Sequence, residues 1–291
     1  MKTKTMGQID NELKNSSEKR SNKIYGIVAV VLCFFSVLFA IGYHIGNSKQ
    51  STTIKVADNG VCIPELEMQS DEVTSMTAFF MYNGRSYCIC DGMFLEKTAI
   101  GSCLGTAYAN INEWSETSNY IDFSGTVSGE VYSINGISTE FMLCLVSDSE
   151  NCQVFMNNKG ITLNSGSEIF EEYLHVSESI ESVTYETQES WDNAQSDLQK
   201  YLIDANEQRI VLNQFVAALN DGEWMRMKDI PKSEDGRTDY DLQEYHVYIK
   251  LKTGVTIHLR LLEGGYVNLE GLNWVCVKVN EDVYTSLIEK F

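Results

Sequence analysis

The chain has 291 residues, with 22 Lys/Arg set against 41 Asp/Glu and a formal net charge of −19. Seven of the bases and three of the acids fall within residues 1–49, so residues 50–291 carry 15 basic and 38 acidic side chains, a net −23. Such a surface argues against nucleic acid, which is bound through basic patches, and against docking on anionic lipid.

Residues 1–23 are polar and lack apolar periodicity, which predicts a disordered tail. The next stretch, Ile24–Ile45, has 22 residues without a formal charge or a proline. At about 1.5 Å per residue such a run covers roughly 30 Å as a helix, the thickness of a bilayer's hydrocarbon. Lys14, Lys19, Arg20 and Lys23 precede it, while Lys49 alone follows closely. The positive-inside rule then places the N-terminus in the cytoplasm and residues 50–291 outside. The run is too long for a cleaved signal peptide, and the best small-x-small site, Leu38-Phe39-Ala40, begins with a bulky residue. Gly42 and Gly46 are spaced to let two such helices approach closely. Residues 46–61 read as a polar stalk.

Seven of the eight cysteines lie beyond the expected span, where disulfides are permitted. Seven is odd, so not all of them can pair within one chain. No N-x-S/T sequon follows the span, which leans towards a bacterial source.

The segment 62–185 reads as a β-rich domain. Asn83-Gly84 marks a tight hairpin that sets Tyr82 opposite Arg85 and Phe80 opposite Tyr87. Strands are predicted at Gly105–Ile111, Thr126–Ile134, Glu140–Val146 and Cys152–Met156. A turn at Ser147-Asp148-Ser149 would place Cys144 opposite Cys152, a disulfide candidate. Ser167–His175 reads as a short helix with Ser167 as its N-cap. The polar, acidic stretch Ser177–Asp197 is taken as the boundary to a second unit.

That unit, 190–291, reads as helix, four-stranded antiparallel meander and closing helix. Asp204-Ala205-Asn206-Glu207 has the form of a capping box. Val211, Leu212, Phe215, Val216 and Leu219 then recur at helical spacing up to Asn220-Asp221-Gly222. In the meander, a loop at Lys252-Thr253-Gly254 aligns Ile249/Ile257, Val247/Leu259 and Tyr245/Leu261. A one-residue slip would set Val247 against Arg260, so the apolar face selects the register. Glu263-Gly264-Gly265 gives Leu261/Val267 and Leu259/Leu269 by the same test. Asn280 caps the last helix.

The same register gathers His246, Tyr248, Lys250, His258 and Arg260 on the opposite face of the meander, with Asn268 and Glu270 beside them. That is the one basic, aromatic and histidine-bearing surface the sequence builds, and it is the candidate recognition face for an acidic ligand or a protein partner. Trp114, Trp191, Trp224 and Trp274 read as packing residues. Serine-hydrolase elbows, zinc-protease, Walker and calcium-loop patterns do not occur, and nothing points to a catalytic residue, metal or cofactor. Cys276 sits in an apolar strand, where an inert thiol is expected.

Residues 104–114 (LGTAYANINEW), 157–175 (NNKGITLNSGSEIFEEYLH) and 259–279 (LRLLEGGYVNLEGLNWVCVKV) resemble a group of uncharacterised bacterial single-span, membrane-anchored ectodomain proteins. The resemblance implies inside-out anchoring and an α+β ectodomain; it implies no activity and carries over no functional residue. The sequence thus reads as an antiparallel-rich α+β ectodomain behind one transmembrane helix. The first functional expectation is a non-enzymatic binding or sensing module. A structural subunit of a larger membrane complex is the alternative, followed by an enzyme whose site is assembled from scattered residues.

Overall fold

A computed structural model describes residues 60–63, 77–112, 115, 119–147, 152–232, 236–237 and 240–291. The expected tail, the expected span Ile24–Ile45 with Gly42 and Gly46, and most of the expected stalk lie outside the described residues. Among the described residues no helix is long and apolar enough to cross a membrane.

The protein is mixed α+β, rich in strands and sparing in helices. The strands in chain order are β1 (Val61–Ile63), β2 (Phe79–Tyr82), β3 (Arg85–Ile89), β4 (Phe94–Leu95), β5 (Ile100–Ala109), β6 (Ser124–Gly125), β7 (Gly129–Ile134), β8 (Met142–Val146), β9 (Cys152–Met156), β10 (Ile161–Leu163), β11 (Ile180–Thr187), β12 (Gln199–Tyr201), β13 (Glu223–Arg226), β14 (Gln243–Leu251), β15 (Val255–Leu262), β16 (Tyr266–Leu269) and β17 (Val275–Lys278). The helices are α1 (Ser167–Phe170), α2 (Val176–Ser179), α3 (Gln188–Asp192), α4 (Asn206–Asp221) and α5 (Glu281–Ile288).

Strands β2-β3-β9-β8-β7-β5-β6 close into a small barrel. Its interior is filled by Phe80, Tyr87, Ala107, Val131, Leu143, Leu145 and Phe155. The hairpin at its start has the register expected from Asn83-Gly84, both residues at positive φ. On β8 the alternate side chains Met142 and Cys144 leave the barrel interior and join the main core, which also holds the apolar face of the large sheet. Both faces of β8 are therefore buried, and the strand reads as an unbroken apolar run.

The large sheet runs β12-β11-β14-β15-β16-β17-β13, with β4 paired to the start of β15. The meander has the predicted alignments Ile249/Ile257, Val247/Leu259, Tyr245/Leu261, Leu261/Val267 and Leu259/Leu269. Its apolar face packs with α4, through Val211, Leu212, Phe215, Val216 and Leu219, and with α5, through Tyr284 and Leu287.

Several local readings are corrected. The stretch Ser177–Asp197 is no bare polar linker. It holds β11, whose Val183 and Tyr185 face the core while Thr184 and Glu186 face the other way. The meander is thereby flanked by β11 and β12 on one side and β13 on the other. The register of β8 with β9 pairs Cys144 with Val154 and Cys152 with Val146, so the two cysteines are not directly opposite. Gly166, with Ser167 at the first helical position, precedes α1. The N-cap of α4 is Ala205, without a side-chain cap bond, because Asp204 lies one residue too early. Trp191 and Trp274 are exposed and only Trp224 is buried, while Trp114 lies outside the described residues.

Candidate functional site

The register of β14 and β15 sets His246 opposite Arg260 and Tyr248 opposite His258, so the predicted residues do share one face. That face is not an open surface. Strand β11 adds Glu186 opposite His246, and the chain then turns directly into α3, which lies over His246. Thr187 caps α3 by accepting from the Ser190 amide. At the other end of the face, Met227, Ile230 and Leu242 pack on Leu262 and Cys276. Gly92, in the turn after β3, approaches so closely that a Cβ there would stand 3.0 Å from His258 Nδ1.

The result is a buried polar network. His246 and His258 are 0% and 4% exposed, with His246 Nδ1 2.8 Å from His258 Nε2. His246 Nε2 is 2.7 Å from Gln188 Oε1. The Gln188 amide is oriented by its Nε2, which donates to Asp192 Oδ1 at 2.9 Å. An oxygen facing His246 requires that His246 Nε2 carry a proton. In the neutral ring its Nδ1 is then an acceptor, and His258 Nε2 must be the donor. The relay thus runs His258 to His246 to Gln188 to Asp192, where the Tyr240 hydroxyl also donates at 2.6 Å. Trp191 stacks on His246, with ring centroids 4.7 Å apart, and Tyr248 stacks on His258 at 4.5 Å.

Burial is the main reason both rings resist protonation. It draws His246 down to about 4, assisted by Arg260 and opposed by Glu186 and Asp192. It draws His258 down to about 3, with His246 and then Arg260 adding to the effect. A second arm of the network holds the Glu186 carboxylate, which accepts from the Tyr248 hydroxyl at 2.9 Å and from the Ser190 hydroxyl at 2.8 Å. Burial, then the bond to Glu186, raises the Tyr248 phenol.

Each cation of the face has a carboxylate partner. Lys250 Nζ is 2.7 Å from Glu96 and 3.1 Å from Glu181, and those bonds raise its pKa. Arg260 Nε is 3.1 Å from Glu270 and 2.9 Å from Asn268 Oδ1. Asn268, fully buried, donates in turn to the carbonyls of Leu272 and Val275 and so fixes the guanidinium plane. An acidic ligand would have to compete with these internal carboxylates.

The other sequence candidates fall elsewhere. Cys144 is buried within the core and Cys152 is half-buried, and both are free thiols two register positions apart diagonally. A hydrogen bond between them raises Cys144 and lowers Cys152. Cys276 is buried, as its apolar strand implies. Among the described residues no group of His, Cys, Asp and Glu is placed to hold a metal ion.

Sequence reasoning did not include Glu186, Gln188, Ser190, Asp192 or Tyr240 in the site. The available signal was the alternation Val183, Tyr185 ahead of Thr187, which marks a strand leading into a cap. No family model, curated protein or solved structure matches the chain.

Proposed function

We propose that the chain is a membrane-anchored, extracytoplasmic binding or sensing module without enzymatic activity. Ile24–Ile45 would be its single spanning helix, with residues 1–23 cytoplasmic. The anchor is supported by the length of the uncharged run and the bases ahead of it. The observation that carries the binding or sensing reading is the hydrogen-bonded chain from His258 to Asp192. It ties the state of a buried sheet face to a five-residue helix bearing an exposed Trp191. That arrangement suits an element that changes position on engagement of a ligand or a change of conditions. Lys250 and Arg260, 29% and 21% exposed, are parts of the predicted face that a partner could touch.

The test is made on the full-length protein in sealed cells of the source. External protease should remove residues beyond the span and spare a tag at the N-terminus; the reverse pattern overturns the topology. Cross-linking in the same cells, followed by mass spectrometry, should yield one enriched envelope component. Its yield should fall several-fold in Arg260→Ala, and an unchanged yield would remove Arg260 and its neighbours as the binding face.

A further inference from the structure

We infer that α3 and the turn behind it form an acid-operated latch over the His246/His258 face, released when both imidazoles take up a proton. The inference rests on the sensing reading of this same site and names the signal: protons.

The geometry explains why two protons are needed. In the neutral pair one N–H lies between the rings and the bond is satisfied. A first proton from solvent leaves the pair able to keep one donor and one acceptor face to face, through a change of tautomer if required. A second proton puts N–H against N–H at 2.8 Å, and the bond is replaced by repulsion between two imidazolium ions. The contact that gives way most readily is the one to the short element. Helix α3 has five residues and is attached to the face through Gln188 and Trp191. Behind it the chain passes through two left-handed, non-glycine positions, Ala194 at φ 50° and Ser196 at φ 53°. These conformations are costly and persist only while the surroundings enforce them. Strands β14 and β15, by contrast, are held on their other face by the main core.

The charged groups around the pair set the direction. Glu186 on β11 and Asp192 on α3 favour a protonated His246, and Arg260 on β15 opposes it. On the remaining sides stand Tyr248 on β14, Glu270 after β16, whose amide donates to the His258 carbonyl, and the turn Asp91-Gly92 beside His258. Glu186 is hydrogen-bonded to Tyr248 and Ser190, and Glu270 is paired with Arg260, so the bonds of both carboxylates go to groups other than the imidazoles. In the closed state the rings resist protonation down to about 4 and about 3, whereas released imidazoles take up protons near 6.5. Acidification between those values therefore favours the released state.

The experiment is hydrogen exchange by mass spectrometry on the full-length protein in detergent micelles at pH 7 and pH 4. Rates are corrected for the intrinsic effect of pH. Amides of residues 190–197 should exchange about tenfold faster or more at pH 4, as local opening uncoupled from global unfolding requires. Those of β7 and β8, which open only with the whole fold, should remain the slower at both pH values. A second measurement uses His246→Gln/His258→Gln, whose side chains can still hydrogen-bond but do not titrate; in it the response of 190–197 should be lost. Protection of 190–197 that persists at pH 4 would overturn the latch, as would loss of protection in the barrel strands at the same pH. The binding reading is scored separately by cross-linking. A partner captured equally at pH 7 and pH 4, with 190–197 protected at both, sinks the latch and leaves the binding module standing. Local opening at pH 4 with no partner at either pH supports the latch and removes the protein-binding reading.

Discussion

Gly254 shows how one residue can fix a register. It lies at φ 86°, a conformation that only glycine adopts without cost, and a Cβ there would stand 3.0 Å from that of Ala99. Gly254→Ala should lower stability by about 1–2 kcal/mol from the backbone alone, read as a fall in the urea midpoint. An unchanged midpoint would mean that the turn tolerates the left-handed penalty. Asn280 is a second such position, since its side chain accepts from the amides of Asp282 and Val283. Asn280→Ala should cost about 1 kcal/mol while Asn280→Asp is close to neutral, and equal losses in the two would show that the cap bond is not what stabilises α5. Both residues announce themselves in the sequence because their effects are local: a turn at a glycine, a cap before a helix. Asp204 is the counter-example. It fits the capping pattern, yet the helix starts after Ala205, and no sequence rule separates the two phases of start.

At the scale of elements, the meander was legible and α3 was not. The meander's register follows from a conflict visible in the chain itself: a slip would bury Arg260 and expose Leu259 and Leu261. Leu259 is fully buried between neighbouring strands, and Leu259→Ala should cost about 2–5 kcal/mol, measured as the change in unfolding free energy. A cost below about 1 kcal/mol would mean that the site collapses around the truncated side chain. Helix α3 has no such signature. Its five residues, Gln188 to Asp192, are polar apart from Trp191, and its place depends on β11 pairing with β14 some sixty residues on. For the same reason the face of His246 and His258 could be assembled from the sequence, while its roof could not. The hairpin of β8 and β9 errs in a third way. Its register pairs Val146 with Cys152, which moves Cys152 from opposite Cys144 to a diagonal place.

For the whole molecule the buried histidines make a definite pH dependence. Their folded pKa values, about 4 and about 3, lie below the unfolded value near 6.5, so the unfolded chain binds more protons between those limits. Stability should therefore be complete above about pH 6.5 and fall as the pH drops towards the folded values. The slope approaches roughly 1.4 kcal/mol per pH unit for each histidine. Urea titrations of the full-length protein from pH 7.5 to 4.5 should show that slope in the wild type and a reduced one in His246→Gln/His258→Gln. Equal slopes in both would mean that the pair is already protonated in the native state. The acidic charge, the uncharged run Ile24–Ile45, the closing of two hairpins and the apolar face of the meander all followed from the sequence by itself. Each depends on neighbours in the chain or on a period of two or 3.6 residues. The barrel closure, the sharing of β8 between two apolar environments and the burial of the histidine pair were decided only by the tertiary structure. They arise from contacts between segments far apart in sequence, and no local period encodes which strand will cover a given face.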